Sequence, residues 1–307
     1  MPVVDILSTG FVLDFQARQL EPVRAVPTPL AGWNKVCRDD GGGVGLAKGW
    51  LTVIGGNPKF GKSVLALNLA ARAMLAGERI GIVSLAMTPE QLAARFYAIM
   101  SGTAMYRLEK GSFSREHFAE AVANIRATLD MAGKPRHGIP FGSDDDLFLV
   151  TDTPLASIEA VMADLNDMHQ RGIRWFVIDY LQLIGTGDEE SINKQVSEVT
   201  THIARFTKAT QTTVVALSQF NRRTSADYTQ PPRAQGLHGG MIVEATADQV
   251  ILLDHSRYEK CEKGRARSWL LIDLNRHGES GSLPIEWNYN TLTLREALPD
   301  EENQWPK

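Results

Sequence analysis

Short apolar runs alternate along this chain with longer stretches in which apolar residues recur at helical spacing. Leu51-Thr52-Val53-Ile54 is such a run and ends in Gly55-Gly56. Its length and flanks predict a strand covered on both faces. Residues 63–75 carry apolar or small side chains all round, which predicts a buried helix. The spacing then predicts a strand over 80–85, a helix over 89–100 opened by Pro89, and helices over 115–132 and 155–171. Between those two helices, Phe148-Leu149-Val150 reads as a short strand. A strand over 175–178, a helix over 194–210, and strands over 214–217, 249–253, 269–274 and 292–294 complete the pattern. Apolar strands alternating with helices predict an α/β fold with a mostly parallel sheet and helices on both faces. The late strands, with few helices between them, predict an antiparallel edge.

The two ends of the chain depart from this pattern. Residues 1–45 contain Pro22, Pro27, Pro29 and the run Gly41-Gly42-Gly43, and read as an arm or linker with at most a short helix between Phe11 and Leu20. Residues 46–297 form the predicted domain. The polar stretch 298–307, with Asp300, Glu301 and Glu302, reads as an acidic disordered tail.

Composition narrows the function classes. The chain has 307 residues, 43% of them hydrophobic and 22% charged, which is enough for a sizeable core without metal or disulfide. A net charge of −4 means that any nucleic-acid surface must be a local patch. The two cysteines, Cys37 and Cys261, lack metal-ligand spacing and read as free thiols of a reducing, cytoplasmic compartment. No apolar stretch is long enough to cross a membrane.

The most specific chemistry lies at the end of the first strong strand. Gly56-Asn57-Pro58-Lys59-Phe60-Gly61-Lys62-Ser63 matches the phosphate-loop pattern at every fixed position. Glycines there let backbone N–H groups curl around phosphates, and the following helix points its positive end at them. Lys62 is expected to reach the β- and γ-phosphates of ATP, and the Ser63 hydroxyl to ligate Mg²⁺. The run Trp175-Phe176-Val177-Ile178 ends in Asp179, a metal-side carboxylate at a strand terminus.

Further blocks, taken in order, make the chain resemble the RecA-like motor domain of DnaB-type replicative helicases. They are Ser84-Leu85-Ala86-Met87 with Glu90, Gln91, Leu92 and Arg95; Asp179-Tyr180-Leu181-Gln182-Leu183; Ala216-Leu217-Ser218-Gln219-Phe220-Asn221-Arg222; residues 243–248; and Asn275-Arg276-His277-Gly278. The resemblance covers about residues 25–295. It implies a six-membered ring that moves along single-stranded DNA at the expense of ATP, with each nucleotide held between two subunits. It implies that Lys62, Ser63 and Asp179 act in one subunit and that Arg276 is donated by the neighbour. Gln219 would sense the γ-phosphate, and a primase or helicase loader would be a partner. A recombinase-like RecA ATPase and a non-translocating, ATP-gated DNA-binding module are the rival readings.

Three departures qualify the resemblance. The family has a glutamate at the position of Ala86, where it activates the attacking water, so this chain is expected to bind ATP and hydrolyse it poorly. Glu90, the nearest other carboxylate, is expected to lie inside the next helix and not to substitute. Leu274 stands where the family has a second trans cation. On the DNA side, Leu237-His238-Gly239-Gly240 replaces an arginine-bearing segment. Arg222, Arg223 and Arg233, with His238, Gly239 and Gly240, remain the expected DNA-contacting set, with backbone amides and basic side chains tracking phosphates. The loop after Asp179 carries Asp188, Glu189 and Glu190, which would repel phosphate.

Overall fold

A computed structural model describes residues 25–36, 45–108, 148–152, 156–185, 189–221, 229–261 and 264–297, with isolated positions among 116–127 and residue 224. The expected helix within 11–20 and the expected acidic tail lie outside the described residues, as does most of the expected helix over 115–132.

The centre is a nine-stranded sheet in the order β11-β10-β9-β8-β3-β7-β6-β4-β5. Its strands are β3 (Leu51–Gly56), β4 (Ile80–Ser84), β5 (Phe148–Asp152), β6 (Trp175–Asp179), β7 (Thr213–Gln219), β8 (Gln249–Lys260), β9 (Arg265–Asn275), β10 (Gly281–Asn288) and β11 (Thr293–Glu296). Strands β3 to β8 are parallel to one another, whereas β8 to β11 form an antiparallel meander. The expected RecA-like α/β sheet with an antiparallel edge is therefore present.

Adjacent residues of the central strands bury into opposite layers. Ile54, Ile82, Val177 and Leu217 pack with helices α2 (Lys62–Leu75) and α3 (Pro89–Ser101). Val53, Val83, Ile178 and Ala216 pack with α4 (Ile158–Gln170), α5 (Glu189–Thr210) and α6 (Gly240–Thr246). Burial on both faces explains why these strands read as unbroken apolar runs. Helix α3 starts at a capping box, with the Thr88 hydroxyl accepting from Gln91 N and Gln91 Oε1 accepting from Thr88 N. It ends at Gly102, whose φ of 68° is left-handed.

The described part of the expected arm is built into the domain on its own chain. β1 (Ala25–Val26) pairs antiparallel with β2 (Leu46–Ala47). Helix α1 (Ala31–Val36) places Trp33, 0% exposed, in the same core as α2. Truncating a buried indole costs about 3–5 kcal/mol, so residues 25–36 contribute to the stability of the domain. Glu296 Oε2 accepts from Gly32 N at 2.7 Å, and Asn275 Nδ2 donates to Val36 O at 3.0 Å.

Strand β10 is absent from the expectation because Pro284 lies within the alternating run Leu283, Ile285 and Trp287, and a proline inside a run argues against a paired strand. The carbonyl of Pro284 accepts from Ala297 N, so the position of the missing N–H faces the β11 side as well. Regular pairing with β11 stops at Ile285, and the ladder loses little there. Among the described residues, no helix is long and apolar enough to cross a membrane, and Cys261 is unbridged.

Candidate functional site

Sheet order brings the site together. Neighbours β3, β7, β6 and β4 all point their carboxyl ends the same way. Their ends therefore place Gly56, Gln219, Asp179 and the Ser84–Ala86 turn side by side. One pocket at this edge is lined by Pro58, Lys59, Gly61, Lys62, Ser63, Ala86, Arg95, Asp179, Gln219 and Tyr289, with Val64, Met87 and Tyr180. Ligands of open α/β sheets bind at such strand ends.

The loop from Gly56 to Ser63 is shaped by its glycines. Gly61 has φ 87°, and a Cβ there would meet the Trp287 ring at 3.0 Å. Both the turn and the indole beneath it therefore require glycine. Helix α2 begins directly after Gly61 and has no acidic residue in its first turn, which leaves its amide end suited to an anion. Lys62 is 7% exposed, and its Nζ donates to the carbonyls of Gly56 at 2.9 Å and Asn57 at 2.8 Å. Burial lowers its pKa to about 8, against the pull of the Asp179 carboxylate.

Asp179 is 4% exposed. Burial raises its pKa, opposed by a hydrogen bond from Ser63 and by the charges of Lys62 and Arg95. A hydroxyl and a buried carboxylate in contact form a hard-oxygen pair that fits Mg²⁺, which takes few protein ligands and keeps the rest as water and phosphate. No group of three or more His, Cys, Asp or Glu among the described residues offers a fuller protein cage. Position 86 is exposed at the pocket wall, in a turn fixed by Ser84 Oγ, which donates to Met87 O at 2.6 Å. Glu90 is fully exposed, and its carboxyl is held below the usual range by the Thr88 hydroxyl. It is not among the pocket-lining residues.

Gln219 sits at the end of β7, and its backbone is clamped on both sides. Gln182, in a 3₁₀ turn over Leu181–Leu183, accepts from Gln219 N at 3.3 Å and donates to Ser218 Oγ at 2.9 Å. The Gln219 carbonyl accepts from His238 N at 3.2 Å. The strand-end amide is thus tied directly to the expected DNA-side segment.

That segment is partly described. Arg222 and Arg223 lie outside the described residues. Arg233 is exposed, but its guanidinium pairs with Asp273 at 2.9 Å. His238 Nδ1 lies 3.0 Å from Asn193 Oδ1, which also accepts from Gly239 N. Gly239 has φ 66°, and a Cβ on Gly240 would meet the Ala234 carbonyl at 2.6 Å, so the turn into α6 requires both glycines.

Arg276 is not among the pocket-lining residues. It sits on the β9–β10 turn, and its guanidinium donates to the carbonyls of Glu244 at 2.7 Å, Ala245 at 3.0 Å and Ala247 at 2.8 Å. It caps the carboxyl end of α6, a favourable place for a cation. His277 beside it stacks on Trp50 at 4.1 Å and meets Asp248 at 3.0 Å. Leu274 packs against the apolar layer of α4–α6.

Three contributors escaped the sequence expectations. Arg95 stands within the quoted helicase block, yet only the fold shows that it lines the pocket and acts on Asp179. Gln182 holds Gln219. Tyr289 reaches the pocket from beyond β10, with its hydroxyl 3.1 Å from that of Tyr258, whose ring meets Phe60 edge-on at 5.6 Å. Burial foremost, and then Tyr258, raises the pKa of the Tyr289 hydroxyl.

Comparisons with known proteins show the family and the fold. A family model described as the DnaB-like helicase C-terminal domain matches residues 40–296. A probable plasmid replicative DNA helicase of Chlamydia psittaci is 25% identical over 279 residues, covering 90% of this chain and 56% of the relative. The replicative DNA helicase DnaB of Geobacillus stearothermophilus is 26% identical over 264 residues, covering 84% and 55%. The chain thus spans little more than half the length of these curated relatives. A solved ATPase domain superposes with a TM-score of 0.72 at 17% identity, covering 97% of this chain and 100% of that one. A solved DnaB-like replicative helicase, described with its interactions with primase, gives 0.69 at 17% identity and covers 97% and 67%. These two likenesses show the fold.

Proposed function

Because this chain belongs to the DnaB-like helicase C-terminal domain family, we propose that it is the motor of a ring-forming replicative DNA helicase. In this reading it uses ATP and Mg²⁺, moves on single-stranded DNA, and hydrolyses slowly because Ala86 stands at the position of the catalytic glutamate. The observation that carries the reading is the row of strand ends: phosphate loop, Gln219, Asp179 and position 86 lie along one edge of one sheet.

The proposed roles are these. The loop amides and Lys62 hold the phosphate chain, and a phosphate oxygen displaces the Gly56 and Asn57 carbonyls as partner of the ammonium. Ser63 and Asp179 would hold Mg²⁺, which would supply positive charge against the phosphate chain. Arg95 faces the same phosphates. Tyr289 offers a ring on which the base packs. Gln219 reports the phosphate state through its carbonyl to His238 and so to the Gly239–Gly240 turn, whose amides exchange Asn193 Oδ1 and the Leu237 carbonyl for DNA phosphates. Arg276 acts on the nucleotide of the next subunit, consistent with its place away from its own pocket. Arg222 and Arg223 are proposed to add charge to the DNA side, and Arg233 to join them on release from Asp273. Primase is proposed as a partner because one solved relative is described with it.

A second reading rests on Ala86 itself, which suits an ATP-gated DNA-binding module that does not translocate. A recombinase-like relative would instead form filaments. The particle mass in ATP, Mg²⁺ and single-stranded DNA tests the ring. A single species of six chains is expected, and monomers or open-ended filaments contradict the proposal.

The lowered pKa of Lys62 adds a pH test. Below about pH 8 the free chain holds the ammonium that a triphosphate needs. Above it, binding must take up a proton, so affinity falls as pH rises, by up to about tenfold per pH unit. Equilibrium titration with ATP from pH 6.5 to 9.5 is expected to show a plateau and then this decline. A flat profile contradicts the assigned role of the lysine.

A further inference from the structure

The phosphate loop carries a second lysine in a backbone conformation that lysine rarely adopts. Lys59, between Pro58 and Phe60, has φ 66°. Side chains with a Cβ are disfavoured in this left-handed region, where glycine and asparagine serve a turn better. Such outliers persist where the surroundings hold them, and they cluster at ligand sites.

The position of Lys59 differs from that of Lys62. Lys62 is buried at the base of the loop with its ammonium on two backbone carbonyls, whereas Lys59 is exposed and lines the same pocket from the apex. Lys59, Lys62 and Arg95 together set three cations against one carboxylate, Asp179, in that lining. A nucleoside triphosphate carries more negative charge than the diphosphate, so an added cation at the open side favours the triphosphate. A lysine on a flexible stem reaches an incoming phosphoryl group without moving the backbone.

We propose that Lys59 is a second phosphate-binding cation, which engages the terminal phosphoryl group of a nucleoside triphosphate and makes the site discriminate triphosphate from diphosphate. This rests on the nucleotide reading above.

The substitution Lys59→Asn tests it, because asparagine tolerates the left-handed backbone and removes only the charge and reach. Calorimetric titration of the full chain with Mg²⁺ compares ATPγS with ADP. The affinity for ATPγS is expected to fall about tenfold, as for loss of one charged hydrogen bond, while that for ADP changes less than twofold. Lys59→Arg should retain the discrimination. An equal loss for both nucleotides marks a damaged loop and overturns the proposal, as does unchanged ATPγS affinity. If the unsubstituted chain binds neither nucleotide, the nucleotide reading fails first and this proposal with it.

Discussion

Ala86→Glu is expected to raise DNA-stimulated ATP turnover by about 10²–10⁴-fold, the usual contribution of a positioned general base. Position 86 lies two residues beyond β4, beside the strand that ends in Asp179, and Leu85 N donates to the Asp179 carbonyl at 2.8 Å. A carboxylate there would enter a pocket wall that already holds Asp179, Arg95 and Gln219. It could accept the proton of a water attacking the γ-phosphorus, whereas the methyl group of alanine can neither orient that water nor take its proton. Glu90 does not substitute, since it is fully exposed and engaged with Thr88. The site is exposed and its turn is fixed by Ser84, so the substitution needs no repacking and the fold should survive it. Phosphate release with single-stranded DNA and unwinding of a forked duplex are the two measurements. A rise in both supports a motor held back at one position. No rise in either favours the non-translocating module, and fast hydrolysis by the unsubstituted chain contradicts the assigned defect.

Much of the pocket was legible before folding was considered, for a physical reason. The phosphate loop and Asp179 belong to strands buried on both faces, and an apolar run that ends in glycine or aspartate marks a strand terminus. Gln219 and Ala86 became legible through the blocks around them. What stayed hidden depends on order within the sheet. Nothing in the spacing of Trp287 and Tyr289 says that they reach a loop more than two hundred residues earlier in the chain. They do so because the antiparallel meander folds back beside β3 and seats Trp287 against Gly61. Strand β10 itself was hidden by Pro284, whose missing N–H falls where β11 has ended. Arg276 shows the same limit from another side. The sequence block suggested a cation for a neighbouring subunit, and the fold adds that its guanidinium closes the last turn of α6, the helix that begins at Gly240. The expected DNA surface was the least legible part. Of its expected arginines, Arg222 and Arg223 lie outside the described residues, and Arg233 is paired with Asp273.

In the proposed reading, the Lys62 side chain is the group on which nucleotide binding most depends. It is the buried cation of the pocket, it follows the glycine turn directly, and it holds the base of the loop through two carbonyls. Its loss removes charged hydrogen bonds to the phosphates, each worth about 1.5–3 kcal/mol. Two such bonds correspond to a fall in affinity of roughly 10²–10⁴-fold. The decisive measurement is the equilibrium affinity of Lys62→Ala for ATP with Mg²⁺, beside the unsubstituted chain, at pH 7 where the native ammonium is charged. A loss of at least about a hundredfold, with the fold retained by circular dichroism, is the predicted result. An affinity equal to that of the unsubstituted chain would contradict the placement of the triphosphate in this loop, and with it the motor built around it.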